Sequence, residues 1–121
     1  MGRKMCKSNP LLVETISALK KQSFEQEAAI WKDIARRLER PLRNWPEVNL
    51  SRIERYVLDG ETALVPGKVL SPGQLSKGVS VAAWGFSARA EEKIKAAGGK
   101  TMSIADLMKS NPKGKNVRIL G

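Results

Sequence analysis

The 121-residue chain has no histidine, one cysteine, and only 12 acidic side chains against 22 lysines and arginines. Each shortage removes a class of chemistry. Without histidine the chain lacks the commonest general base near neutral pH and the commonest neutral metal ligand. Cys6 alone cannot close a disulfide within the chain or make a structural zinc site. No metal and no cofactor is therefore expected. The longest uninterrupted apolar runs, 28–31 and 81–84, are four residues each, far too short to cross a bilayer, so no membrane partner is expected either. The basic start runs through Asn9-Pro10 into an amphipathic stretch and does not read as a secretory signal, which makes cytoplasm the expected compartment.

What is present is positive charge on a foldable chain. A hydrophobic fraction of 41% with mean hydropathy −0.34 fits a folded domain, and the net charge of +10 with pI ≈ 10.1 points to a polyanionic partner. The length fits a single globular domain over 9–121 behind a basic tail over 1–8, with a helical part at 9–60 and a strand/helix part at 61–121. The charge is uneven, +4 over residues 1–60 and +6 over 61–121. Three stretches, 1–13, 62–90 and 107–121, hold no acid at all. Acid-free Gly/Pro/Lys segments beside mixed-charge helices suggest a protein set against phosphate.

The expected class is α/β. Asn9-Pro10 reads as an N-cap with proline at the first helical position, and Leu12, Val13, Ile16 and Leu19 recur at helical spacing over about three turns. Ser23-Phe24-Glu25-Gln26 fits a capping box, opening a second helix with Ile30, Trp31, Ile34, Ala35 and Leu38 on its inner face. Pro41 ends that helix, and Asn49 is placed to cap a third whose stripe is Leu50, Ile53 and Val57. Pro66-Gly67 and Pro72-Gly73 each carry the signature of a type II turn. A central strand over 79–86, a helix capped by Ser87 and stopped by Gly98-Gly99, and a strand at 100–102 make a parallel strand–helix–strand unit. Ser103 with Asp106 caps a last short helix, and 117–120 closes as a strand.

Catalytic patterns fail one by one. Gly60 and Gly67-Lys68-Val69 are misspaced for a phosphate loop, and Val69 stands where a magnesium-binding hydroxyl is needed. Ser17 and Lys20 have the spacing of a nucleophile pair but sit mid-helix without supporting motifs. Glu25 with Glu27, and Glu91 with Glu92, read as solvated carboxylates. No catalytic residue and no small-molecule substrate is expected.

Cations and one loop remain. Arg43-Asn44-Trp45, held between Pro41 and Pro46, offers a fork donor, an amide and a flat ring, which suits an irregular RNA surface. Trp45 has two readings at this stage, stacking on a base or covering the helical hairpin; Trp31 and Trp84 read as core. Arg52 and Arg55 form either a solvated face paired with Glu54 or Asp59, or an RNA contact beside that loop. Lys68 and Lys77, on presumed rigid turns, would meet phosphate at little entropic cost. Arg89, and the segment carrying Lys113, Lys115 and Arg118, extend the cationic set, as do Arg3, Lys4 and Lys7 at the start. The alternative for both terminal stretches is solubilising disorder.

The residues also carry a resemblance. Arg40-Pro41, Glu47-Val48-Asn49-Leu50-Ser51-Arg52-Ile53, Val65-Pro66-Gly67-Lys68-Val69-Leu70 and Asn111-Pro112 with Val117-Arg118-Ile119 resemble, in order and spacing, the eighteen-e family of large-ribosomal-subunit proteins. That family is related to bacterial large-subunit protein fifteen. The resemblance runs over 8–121, and the chain's shortness is more like archaeal than eukaryotic members. It implies a structural ribosomal protein whose partners are large-subunit rRNA and neighbouring large-subunit ribosomal proteins. It also implies helices followed by an irregular strand–strand–helix superhelix, with function carried most directly at Arg40, Asn49, Arg52 and Lys68. Rival readings are a DNA-compacting protein, an enzyme on RNA, and a protein–protein adaptor.

Overall fold

The computed structural model describes residues 10–58 and 60–121, so the readings of Arg3, Lys4, Cys6, Lys7, Asn9 and Asp59 lie outside the described residues. The fold opens with α1 (Pro10–Gln26) and α2 (Ala29–Leu38), which pack on each other. α1 runs well past its expected end because Ser23 does not cap a new helix. Its hydroxyl donates to the Ala28 carbonyl at 2.8 Å, and the Ala28 N–H returns to the Ser23 carbonyl at 3.1 Å. With Glu27 in the left-handed region at φ 53°, this backbone bond is the closing bond of a Schellman stop, and the capping box is overruled.

A short 3-10 turn, Leu42–Asn44, leads into β1 (Glu47–Asn49), a three-residue strand too brief to leave a periodic signal, and then α3 (Leu50–Tyr56). β2 (Thr62–Leu70) and β3 (Ser80–Phe86) follow, then α4 (Ala88–Ala96), β4 (Lys100–Ser103), α5 (Ile104–Ser110) and β5 (Val117–Ile119). All pairings are parallel, in the order β1-β2-β3-β4. β5 shares an edge of β2 with β1: it pairs with Thr62 to Leu64, while β1 pairs with Lys68 to Leu70. The class is mixed α/β, with the helices leading, as expected.

The sheet is buried on both faces, which explains its nearly continuous apolar strands. Ala63, Val65, Val81 and Ala83 point to one side, against Ile53 and Val57 around α3 and Ile94 on α4. The alternate residues Leu64, Ala82 and Trp84 meet Leu19, Trp31, Ile34, Leu38 and Leu107 from α1, α2 and α5 on the other. Trp31 is fully buried and its indole N–H donates to the Pro112 carbonyl at 2.7 Å. Two helix caps follow expectation: Ser87 accepts from the Ala90 N–H and Ser103 from the Asp106 N–H, each at 3.1 Å.

The two Pro-Gly pairs diverge. Gly73 has φ 97°, as a type II turn demands, whereas Pro66-Gly67 is buried inside β2. There the register against β3 shifts between Val65 and Lys68, so the proline sits at a bulge, where its missing N–H is tolerated in a central strand. Gly67 is needed because a Cβ would strike the Pro46 carbonyl, which accepts from the Lys68 N–H at 3.1 Å.

Candidate nucleic-acid interface

The bulge determines where Lys68 points. It stands exposed on β2 opposite Glu47 in register, and with Arg43, Trp45, Pro46 and Glu47 it walls an open groove of about 300 Å³. Glu47 also belongs to a second cleft of about 430 Å³, with Asn49, Ser51, Arg52, Arg55 and Tyr56. The two hollows are thus continuous along β1, because Val48 turns into the core and leaves Glu47 and Asn49 facing out. Among the described residues the side chains of Arg43, Lys68 and Arg52 have no ion pair or hydrogen bond, and Arg55 makes only a cation–π contact, 6.0 Å from the Tyr56 ring centroid. The pairing expected of Arg52 and Arg55 with Glu54 is absent there. Asn49 holds the N-cap position of α3, but its side chain makes no capping bond.

Other expected contacts are placed differently. Trp45 is half-buried, edge-on to Trp84 with centroids 6.0 Å apart, and its indole N–H donates to the Arg40 carbonyl at 3.0 Å. Its ring therefore packs on the helical side of the sheet, the second of its two readings. Arg40 and Asn44 are exposed around the same turn. Lys77 is half-buried, with its ammonium donating to the Val57 carbonyl at 2.7 Å, because the C-terminal end of α3 presents unpaired carbonyls that attract a cation. Neither Lys68 nor Lys77 sits on the rigid turn expected of it. Arg118 pairs with Glu61 through Nε and Nη2, both at 3.3 Å.

Lys113 and Lys115 are exposed in the turn after α5, and Arg89 on the first turn of α4, all apart from the β1 grooves. The 111–118 segment is not a loose tail. Pro112 accepts from Trp31, Asn111 Oδ1 accepts from the Lys115 N–H at 3.1 Å, and the Asn116 carbonyl accepts from the Thr62 N–H at 2.8 Å. Sequence reasoning missed Glu47 and Tyr56 as lining residues. Tyr56, the sole tyrosine, is 47% exposed on the outer side of α3 and was the one available signal.

Two carboxylates lie below the ordinary range. Glu54 is held down by the Ser76 hydroxyl at 2.6 Å and the Ser76 N–H at 3.0 Å, aided by Lys77. Glu61 is held down first by the Leu58 N–H at 2.8 Å and then by Arg118. Both bind structure together away from the β1 grooves. Among the described residues no group of three or more Asp, Glu or Cys side chains could hold a metal ion, and no helix is long and apolar enough to cross a membrane.

Known proteins carry the same pattern. Residues 46–102 match a family described as ribosomal proteins 50S-L15 and 50S-L18e with a 60S counterpart. That span holds β1, the Pro66-Gly67 bulge and both grooves' principal cations apart from Arg43. The chain is 53% identical to the large ribosomal subunit protein eL18 of Methanoregula boonei over 120 residues, covering 99% of each chain. It is 48% identical to the eL18 of Methanothermobacter thermautotrophicus, again over 99% of each. With the eL18 of Archaeoglobus fulgidus the identity is 49%, over 96% of this chain and 99% of the relative. Similarity of that extent, over both the helices and the sheet, makes the chain a member of the eL18 family of large-ribosomal-subunit proteins.

Proposed function

We propose that this chain is a non-enzymatic structural constituent of the large ribosomal subunit, which binds large-subunit rRNA along the β1 rim and holds its helices in place. The observation that carries the reading is the convergence of Arg43, Lys68, Arg52 and Arg55 on one continuous pair of grooves, with no carboxylate pairing any of them among the described residues. Unpaired cations on rigid elements have little to lose on meeting phosphate and gain from counterion release. Arg40 and Asn44 border this rim, while Arg89, Lys113 and Lys115 offer outlying contacts. Trp45 supports the rim by packing beneath it.

Neighbouring large-subunit proteins are the second class of partner, and the cytoplasmic ribosome is the place. The reading needs no cofactor, metal, membrane or small-molecule substrate. Its test is sedimentation: in a sucrose gradient the protein travels with large subunits at moderate salt and leaves them at high salt. A protein wholly in the free fraction at low salt would refute the assignment.

A further inference from the structure

Glu47 is out of place on a surface built for phosphate. A carboxylate there repels the RNA backbone, and pure backbone binding has no use for it. Yet Glu47 lies where the two grooves join, flanked by Arg43 and Lys68 on one side and by Arg52 and Arg55 on the other, with no partner among the described residues. Two residues on, Asn49 faces the same side of β1 with its amide unused by the helix it should cap. The far wall of the 430 Å³ cleft is Tyr56, an exposed flat ring with a guanidinium over it. That volume lies within the roughly 300–1,000 Å³ of sites that hold a small planar ligand.

An acceptor, an amide and an aromatic face are the parts that read an unpaired base, which stacks on a ring and is hydrogen-bonded at its edge. The acceptor decides which base. Two carboxylate oxygens match two adjacent N–H donors, and on the Watson–Crick edges only guanine has such a pair, N1–H and the N2 amine. Adenine and cytosine set one amine beside an acceptor lone pair, and uracil sets one N–H between carbonyls.

We propose that the cleft between β1 and α3 captures one unpaired guanine of the RNA, with Glu47 and Asn49 on its Watson–Crick edge and Tyr56 against its face. Arg52 and Arg55 then meet the flanking phosphates. The inference rests on the rRNA-binding reading above and adds base selectivity to it.

The experiment measures binding of the full chain, by fluorescence anisotropy, to labelled RNA hairpins identical except for one loop nucleotide: G, A, C, U or inosine. The G hairpin binds tightest, by about tenfold, the size of one good bidentate base contact. Inosine falls between, since it keeps N1–H and lacks the amine. Glu47→Gln, an exposed and structurally mild change, removes the preference for G while leaving binding to the others unchanged or stronger. Tyr56→Ala weakens all five hairpins, and the ring signals of the only tyrosine shift when the G hairpin is added. Equal affinity for all hairpins, or a G preference that survives Glu47→Gln, overturns the guanine site and leaves backbone binding standing. Failure to bind any hairpin at low salt removes the RNA reading and the site together.

Discussion

The β1 rim and the loop over 71–79 are both basic and close in sequence, yet they use their cations in opposite ways. At the rim, Arg43 and Lys68 project from backbone fixed by a bulge, with no internal acceptor. In the loop region, Lys77 is spent on the Val57 carbonyl, and Lys93 reaches from α4 to the Ser71 and Gly73 carbonyls, both at 3.0 Å. The difference arises from neighbours: a lysine beside a helix end or an irregular loop finds orphan carbonyls, while one on a paired strand finds none. Net charge therefore overstates the surface available to a polyanion. Lys77 and Lys93 act as staples.

The contrast breaks most severely at Gly67, which supports both regions. Gly67→Ala forces a Cβ into the Pro46 backbone and separates β1 from β2. We expect a loss of roughly 3 kcal/mol in chemical denaturation, the upper part of the overpacking range, together with weakened RNA binding. A wild-type denaturation midpoint would show that β1 is not held by that contact. Next in size is Arg43→Ala with Lys68→Ala. RNA affinity falls and the plot of log affinity against log salt flattens by about 1.4–1.8, two contacts at roughly 0.7–0.9 each, with melting of the free protein nearly unchanged. An unchanged slope would remove both side chains from the interface.

Much of this scaffold was legible in the sequence because it obeys local rules. Leu50, Ile53 and Val57 declare a helix face by spacing, and Ser87 and Ser103 cap as their type predicts. What failed was decided across the chain. Pro66-Gly67 has the chemistry of a turn, but pairing with β3 on one edge and β1 on the other draws it into a strand as a bulge. Ser23 heads a good capping box, but the Schellman stop at Glu27 carries α1 past it. For the site, Arg43, Arg52, Arg55 and Lys68 were legible as cations in acid-poor or motif-bearing segments. Glu47 was not, since its meaning depends on the groove it shares with them.

The staple role of Lys93 sharpens the contrast from the other side. Lys93→Met removes two hydrogen bonds to backbone carbonyls while keeping the alkyl stem, and about 1–2 kcal/mol of stability goes with them, since bonds to charged groups exceed neutral ones but this ammonium is partly solvated. RNA affinity and its salt slope stay at wild-type values. A flattened slope would place Lys93 on phosphate and erase the distinction between the two regions.

The smallest effect is that of acid on the 71–79 loop. Glu54 holds Ser76 by two bonds, and its folded-state acidity is raised by them, so its pKa lies below that in the unfolded chain. The stabilisation is therefore complete above the unfolded-chain value, near 4.3 for glutamate, and is lost as pH falls through the depressed folded value. Below that value Ser76 loses an ionised acceptor and the loop loosens beside Lys77. The Ser76 amide proton in NMR spectra should move with a midpoint below the ordinary glutamate range, and Glu54→Gln should abolish that movement. The β1 rim has no such tie to Glu54, so the amides of β1 should not follow the same titration. If they do, the rim and the loop respond to acid as one unit, and the division of labour between free cations and staples is weaker than their geometry implies.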